Sequence, residues 1–182
     1  MTGETVLIAA AKRGSVSAFT ELVARYREGL LRFLVTRTLS TADAEDALQD
    51  TLINAYRYLH SYDPKWRFST WLYRIAINNA ARIRDVATTE LGDLANEESD
   101  PLEACIAASE RNNLWLSARR LFNDEVFAAL WLRYVEDMSV SDISAVLERS
   151  ISWTKVNLLR ARRQLETELQ TAADSSEDRA YG

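Results

Sequence analysis

In the middle of the chain, Lys65-Trp66-Arg67-Phe68-Ser69-Thr70-Trp71 interleaves cations with aromatic rings, and Arg74, Asn78 and Arg82 follow at steps of four. Cations can track a phosphate backbone while rings and amides hold unstacked bases, so this combination suits single-stranded nucleic acid. The same residues also suit a plainer structure, with Phe68 and Trp71 in a core and the arginines solvated. Trp66, between Lys65 and Arg67, fits the packed role least. A second set lies near the C-terminus. Trp153, Val156, Arg160 and Arg163 step by three, four and three, opposite Ile151, Thr154, Leu158, Ala161 and Leu165, which would face a core. An outward stripe of two arginines and two apolar residues suits a major groove, where Arg reads guanine or phosphate and apolar groups meet thymine methyls. An amphipathic helix with Trp153 packed locally would carry it too. A third set, Asp46, Gln49, Asp50 and Asn54, has no His or further carboxylate at ligand spacing. It reads as a polar docking face or a solvated one, not a metal site.

Other chemistries are excluded by what is scarce. One cysteine, Cys105, allows no internal disulfide and no cysteine metal cluster. One histidine, His60, leaves little scope for acid–base catalysis, and no Gly-rich loop is present to cradle phosphates. The chain is therefore expected to be no enzyme and to need no metal or cofactor. No apolar run approaches the ~18 residues of a membrane span, and the stretch 6–11 is too short for a signal-peptide core. No membrane insertion and a cytoplasmic location are expected.

The net charge of −5 points away from nucleic acid only as an average. Residues 1–86 carry twelve basic and nine acidic side chains, whereas residues 87–112 carry seven acids against Arg111 alone. Residues 148–170 are again mildly basic. The acidity thus sits between two mildly basic segments and in the tail.

The elements that must position these sets read as helices. Five Gly and two Pro in 182 residues argue against a strand-and-turn protein. Phe19, Leu22, Val23, Tyr26, Leu30, Phe33 and Leu34 form one helical stripe, capped by Ser15 or Ser17. A second helix opens near Thr41, with Asp43, Glu45 and Asp46 in its first turn, and buries Ala44, Ala47, Leu48, Leu52, Ala55, Tyr56 and Leu59. A loop over Tyr62–Arg67 leads to a third, from about Ser69 to Asp85, with Leu72, Ile75, Ala76, Asn79 and Ile83 inward. Helical signals return after Pro101, through Leu114–Leu121 and Val126–Tyr134. Ser139 and Asp142 then have capping-box spacing before a short helix to Leu147. A break and a longer helix to about Gln170 complete helix-turn-helix dimensions. The expectation is an all-α fold: two small helical domains (1–86 and 101–170) joined by a flexible acidic linker (87–100), the second containing the helix-turn-helix, with a disordered tail (171–182).

The strings Ala44-Glu-Asp-Ala-Leu-Gln-Asp50, Tyr62-Asp-Pro64 and Phe68-Ser-Thr-Trp-Leu-Tyr-Arg-Ile-Ala-Ile-Asn78 resemble region 2 of bacterial RNA polymerase sigma factors of the extracytoplasmic-function (ECF) type. Leu132-Arg-Tyr134, Met138–Leu147 and Lys155–Leu165 resemble their region 4. The match spans about residues 5–170, in order. The resemblance implies a factor that binds core RNA polymerase and directs promoter-specific initiation. It implies a docking face at Asp46, Gln49 and Asp50. It implies that Trp66, Arg67, Ser69 and Thr70 lie in the loop that captures a flipped base of the −10 element, with Asn78 as an amide and Arg74 and Arg82 near phosphates. Trp153, Lys155, Val156, Asn157 and Arg160 would read the −35 duplex, and Arg163 would touch its backbone. Promoter DNA, core polymerase and an anti-sigma factor are the implied partners.

The sequence departs from the family pattern at several points. Glu148 stands where the helix-turn-helix turn usually has Gly, so a left-handed backbone is expected there. Ser144 replaces a common Ala, Phe122 a Pro, and Trp153 and Val156 smaller residues. Two other readings fit parts of the pattern: a helix-turn-helix regulator that never engages core polymerase, and a helical protein-interaction adaptor. The first has no use for the 44–78 string, and the second predicts DNA affinity insensitive to salt.

Overall fold

The computed structural model describes residues 3–91 and 110–180. Within them the chain is helical, with nine α-helices, one 3-10 turn and no strand among the described residues. It divides into two compact units, Met1–Cys105 and Ile106–Gly182. Most of the acidic linker, residues 92–100, lies outside the described residues.

In the first unit, α1 (Gly3–Lys12), α2 (Val16–Ala24), α3 (Arg27–Val35), α4 (Thr41–Arg57) and α5 (Phe68–Leu91) surround one core. Leu22, Leu30, Phe33, Leu34, Leu48, Phe68, Leu72 and Tyr73 are buried there. The Phe33 and Tyr73 rings meet edge to face at 5.3 Å, an arrangement favoured by the ring quadrupoles. Ser15 caps α2 by accepting from the Ala18 N–H, and Ser40 caps α4 by accepting from the Asp43 N–H. Each satisfies one of the orphan donors of a helix start.

Three features differ from the sequence expectation. The 6–11 stretch is part of a helix, α1. The stripe from Phe19 to Leu34 is two helices, broken at Arg25–Tyr26. Neither Gly nor Pro marks that break, and the apolar phase runs through it. Tertiary contacts occupy the corner: the Tyr26 hydroxyl donates to the Glu4 carboxylate of α1, and its ring lies 5.7 Å from that of Phe68. Finally, α5 runs on to Leu91, past Asp85. Its extension, Val86-Ala-Thr-Thr-Glu-Leu91, contains no Gly or Pro to stop it.

The second unit holds α6 (Glu110–Leu121), α7 (Asp124–Tyr134), α8 (Val140–Leu147) and α9 (Ile151–Ala180). Helix α7 is central, with every residue from Val126 to Leu132 buried. Asn123, after Phe122, caps it by accepting from the Val126 N–H at 3.0 Å. Trp115, Phe127 and Trp131 form an aromatic cluster, with Trp115 5.8 and 5.1 Å from the other two ring centroids. Helix α9 runs beyond Gln170 to Ala180. The stretch 171–180, expected to be disordered, is rich in Ala and acidic residues and has no breaker before Gly182.

Helices α8 and α9 form the expected helix-turn-helix. Ser139 accepts from the Asp142 N–H at 3.1 Å and donates to the Asp142 carboxylate at 2.6 Å, completing the cap. Glu148 adopts the left-handed conformation at φ 54°, ψ 38°. Ser150 caps α9 by accepting from the Trp153 N–H at 3.1 Å. The hydroxyls of Ser144 and Thr154 lie 2.9 Å apart in the interior, joining the two helices. Ser144 in place of Ala is thus matched by Thr154 opposite. A left-handed non-Gly residue costs about 1–2 kcal/mol. Glu148→Gly should therefore stabilise the protein by about 1 kcal/mol, read as a higher midpoint in urea denaturation of the full chain. An unchanged or lower midpoint would mean that contacts of the Glu148 side chain outweigh the backbone cost.

Candidate nucleic-acid interfaces

The loop after α4 is held from inside by Tyr62. Its side chain is buried, packing 5.5 Å from the Phe68 ring and 5.5 Å from that of Trp71. Its hydroxyl donates to the Trp66 carbonyl at 2.7 Å, closing the loop on itself. Lys12 of α1 lies 5.4 Å above the Tyr62 ring and donates to its carbonyl at 2.9 Å. Asp63 accepts from the Lys65 N–H at 3.0 Å, a local turn bond. Burial, followed by the Glu4 and Asp63 charges, pushes the Tyr62 phenol above its ordinary range. The phenol therefore stays protonated, and able to donate, at neutral pH. Because the folded value is the raised one, this contribution is lost only as pH climbs above the ordinary phenol range.

This anchoring leaves Trp66 at the surface, 42% exposed, with Lys65 and Arg67 exposed on either side. Phe68 is fully buried, as the plainer reading of the motif expected, and Ser69 is half-buried. Thr70 is a correction: at 3% exposure it belongs to the packed side of α5 and presents nothing to a ligand. The reason is phase, since Thr70 lies three residues before Tyr73, on the same side of the helix, and Tyr73 is buried.

Farther along α5, Arg74, Asn78 and Arg82 are all exposed. Arg74 and Asn78 border an open hollow of about 350 Å³ that Asn54, Tyr58, Trp71 and Ile75 also line. Trp71 is only half-buried and turns part of its surface into this hollow. Tyr58 was not among the expected site residues, and Trp71 stood in the cation–aromatic motif with core packing as its plainer role. The antiparallel fit of α4 and α5 brings them together, and neither stands in a sequence pattern that says so.

Helix α4 presents Asp46 and Gln49 to solvent. Asp50 is partly shielded because it pairs with Arg82 of α5. Asn54 is not part of this row: its amide donates inward to Asn79 at 3.2 Å. An apolar strip adjoins the row, where Ile53 and Tyr56 are 47% and 41% exposed and border a shallow hollow with Phe19 and Leu52. Tyr56, expected in the core, covers Phe19 edge-on at 5.0 Å instead. Ile53 follows Gln49 by four residues, and an apolar residue in that polar phase is the signal that could have marked the strip.

In the second unit, α9 turns Thr154, Leu158 and Ala161 inward, all buried, with Leu165 half-buried. Ile151, expected beside them, is 50% exposed. It is the first residue of the helix, and α9 meets α8 one turn later, at Thr154. Lys155, Val156, Arg160 and Arg163 are exposed, as is Leu159, which the sequence reading passed over. Asn157 is half-buried and its amide donates back to the Trp153 carbonyl at 2.9 Å. Trp153 is also half-buried, with the Arg149 guanidinium 5.7 Å from its ring, and Arg149 in turn forks onto Glu125 of α7. On the far side of the unit, Leu114, Trp115, Tyr134 and Leu165 line an apolar hollow of about 300 Å³. No group of His, Cys, Asp or Glu able to hold a metal occurs among the described residues. No described helix is long and apolar enough to cross a membrane.

The closed loop makes a prediction of its own. Tyr62→Phe keeps the ring and deletes the hydroxyl bond to Trp66. It should cost about 0.5–1.5 kcal/mol of stability and speed hydrogen exchange of the 63–67 amides. Exchange at the wild-type rate would show that the loop is held by other contacts.

Comparison with known proteins covers both units. The family model for Sigma-70 region 2 matches residues 22–85, and that for Sigma-70, region 4 matches residues 124–165. The ECF RNA polymerase sigma-E factor of Haemophilus influenzae is 26% identical over 182 residues, covering 92% of this chain and 95% of the relative. The protein of the same name from Escherichia coli K12 is 28% identical over 181 residues, covering 92% and 94%. Among solved structures, CnrH in complex with the cytosolic domain of CnrY is similar at a TM-score of 0.67 and 26% identity, covering 93% of this chain and 98% of that one. The sigma factor RpoE of Bartonella quintana, solved with the anti-sigma factor NepR, shares the fold at a TM-score of 0.68 and 21% identity, covering 85% and 98%.

Proposed function

The chain belongs to the sigma-70 family, in its extracytoplasmic-function group, and on that premise we propose how its faces divide the work. The protein is a sigma factor that directs promoter-specific transcription initiation by RNA polymerase. The observation that carries the division is that three sets of exposed polar and aromatic groups lie on distinct, internally braced faces. Asp46 and Gln49, with the apolar strip at Ile53, dock on core polymerase. Trp66 and Arg67, with Ser69 at the helix start, take the extruded base of the −10 element, and Arg74 and Asn78 hold the neighbouring strand along the hollow beside Trp71. Lys155, Val156, Arg160 and Arg163 enter the −35 duplex, with Trp153 and Asn157 at the edge of the groove. All bond-making chemistry is the polymerase's, and the factor works in the cytoplasm with it.

The physics of each step is ordinary. Unpairing a base costs a few kcal/mol, and stacking on an aromatic ring returns about 1–3 kcal/mol per base. Trp66 can do this because its loop is fixed before DNA arrives. Arg82 is placed for phosphates but is paired with Asp50, so Asp50 belongs to the docking and strand-holding faces at once. Asp46 and Gln49 are therefore the cleaner probes of docking. The same exposed apolar surfaces, at Ile53 and at the hollow lined by Leu114, Trp115, Tyr134 and Leu165, are where an anti-sigma factor would bind. That the similar CnrH was solved with the cytosolic domain of CnrY supports a protein partner; the two surfaces are assigned on their apolar exposure alone.

Two sets of variants test the division. Trp66→Ala, Arg67→Ala and Asn78→Ala should leave holoenzyme binding to fully duplex −35 DNA unchanged. They should lower open-complex formation, about tenfold for Trp66→Ala, read by permanganate reactivity of unpaired thymines. Equal losses in both assays would contradict a melting role. Lys155→Ala and Arg160→Ala should weaken −35 binding and each reduce its log–log salt slope by about one. Run-off transcription at wild-type level by both would remove them from the reading face.

A further inference from the structure

We infer that Val156 and Leu159 set the sequence preference of the −35 contact by packing against the 5-methyl groups of neighbouring thymines; this rests on the reading of α9 as the duplex-binding helix. The inference starts from the angular layout of that helix. At 3.6 residues per turn, the inward direction is fixed by Thr154, Leu158 and Ala161, all buried. The opposite direction passes through Ser152, Val156, Leu159, Arg160 and Arg163, all exposed. Val156 and Leu159 lie on either side of its centre line, 43% and 51% exposed, with Arg163 on that line one turn past Leu159 and Arg160 beside Val156. They are three residues apart, a rise of about 4.5 Å, close to the roughly 3.4 Å between successive base pairs. Two adjacent base steps are within their combined reach.

The groups around them narrow what this face can read. Between Arg149 and Leu165 there is no Asp or Glu, so no carboxylate there accepts from the cytosine amino group; Ser152, one turn before Val156, is the exposed hydroxyl acceptor of this face. The amide nearest the centre, Asn157, already donates to the Trp153 carbonyl and is half-buried, which turns it away from adenine. Gln164 lies on the Trp153 flank, two turns past Val156. Lys155, Arg160 and Arg163 can bond guanine or phosphate. The one base feature left for the central pair is the thymine methyl, the apolar group of the major groove. The cations on either side make duplex DNA, rather than an apolar protein surface, the occupant that this strip fits.

The test uses the full chain reconstituted with core polymerase. A duplex pool randomised over the −35 element is selected for binding, and the selected thymines are then replaced by deoxyuridine, which removes only the methyl group. Wild type should select at least one thymine in the element and lose about fourfold in affinity per methyl removed. The Val156→Ala/Leu159→Ala variant, changed only at exposed positions, should bind the thymine and deoxyuridine duplexes equally. A selected element without thymine would overturn the inference, as would a wild type indifferent to methyl removal. If Lys155→Ala and Arg160→Ala still weaken binding to both duplexes in that case, the duplex-reading role of α9 stands and only the methyl contact falls. If they weaken neither, the reading of the helix itself fails.

Discussion

An amide buried between two helices must find hydrogen-bond partners there, and Asn79 finds two. It accepts from Asn54 and donates to the Thr51 hydroxyl, each at 3.2 Å, while Thr51 donates to the Ala47 carbonyl at 2.6 Å. A sliding or rotation of α5 against α4 would break this link and leave the buried Asn79–Thr51 bond unmade. It therefore fixes the register of the two helices that carry both faces of the first unit. With that register, Trp71 and Asn78 share a hollow with Tyr58, and Arg82 meets Asp50. The loop between the helices then has a set span to cross, and the Tyr62 anchor consumes the slack. Trp66 is presented between exposed Lys65 and Arg67 because Tyr62 and Phe68, at the two ends of the loop, are committed to packing.

The second unit solves the same problem with different groups. Ser144 and Thr154 link α8 to α9, and Glu148 makes the turn in a conformation that an L-residue adopts at a cost. The helix-turn-helix is thus held by one buried polar contact and one strained corner. Arg149, next to that corner, joins Glu125 of α7 to the Trp153 ring. The bulky residue that departs from the family pattern is braced from the rest of the unit, which explains how a tryptophan is accommodated at the start of a reading helix.

What could be read in the sequence, and what could not, divides along the same line. Periodicity gave most of the inward residues of α4 and α9 and part of those of α5, where buried Tyr73 and Ala80 were not expected, because burial follows the helical period wherever a helix packs along its length. The caps at Ser15 and Ser139 follow from local chemistry, and the left-handed Glu148 from the Gly usual in the family's turn; the cap at Ser40 was not expected. The failures are at ends and corners. Tyr26 breaks a helix through contacts with Glu4 and Phe68, which are 22 and 42 residues away in sequence. Ile151 has the inward phase but stands before the helix reaches its neighbour. Thr70 sits in the resemblance's loop but has the phase of the core. The pairing of Asp50 with Arg82 joins residues assigned to separate tasks, and no spacing rule connects positions on two helices.

The charge distribution follows from the need to act only within a larger complex. Counterion release makes DNA affinity grow with each phosphate neutralised. A protein carrying an excess of only three positive charges over residues 1–86 gains little of it alone. Three of the twelve cations there are also engaged by neighbouring acids, Arg82 by Asp50, Arg32 by Glu28 and Arg25 by Glu21. Such exposed pairs contribute no more than about 1 kcal/mol each, so they yield readily to a phosphate once the chain is positioned by another contact. In the proposed division of faces, docking of the first unit on polymerase provides that positioning, and both DNA faces then act at high effective concentration. Weak electrostatics then favours discrimination, because a reading face that cannot hold arbitrary DNA must rely on the contacts that differ between sequences. A net charge of −5 is compatible with that division of labour and is not evidence against nucleic acid.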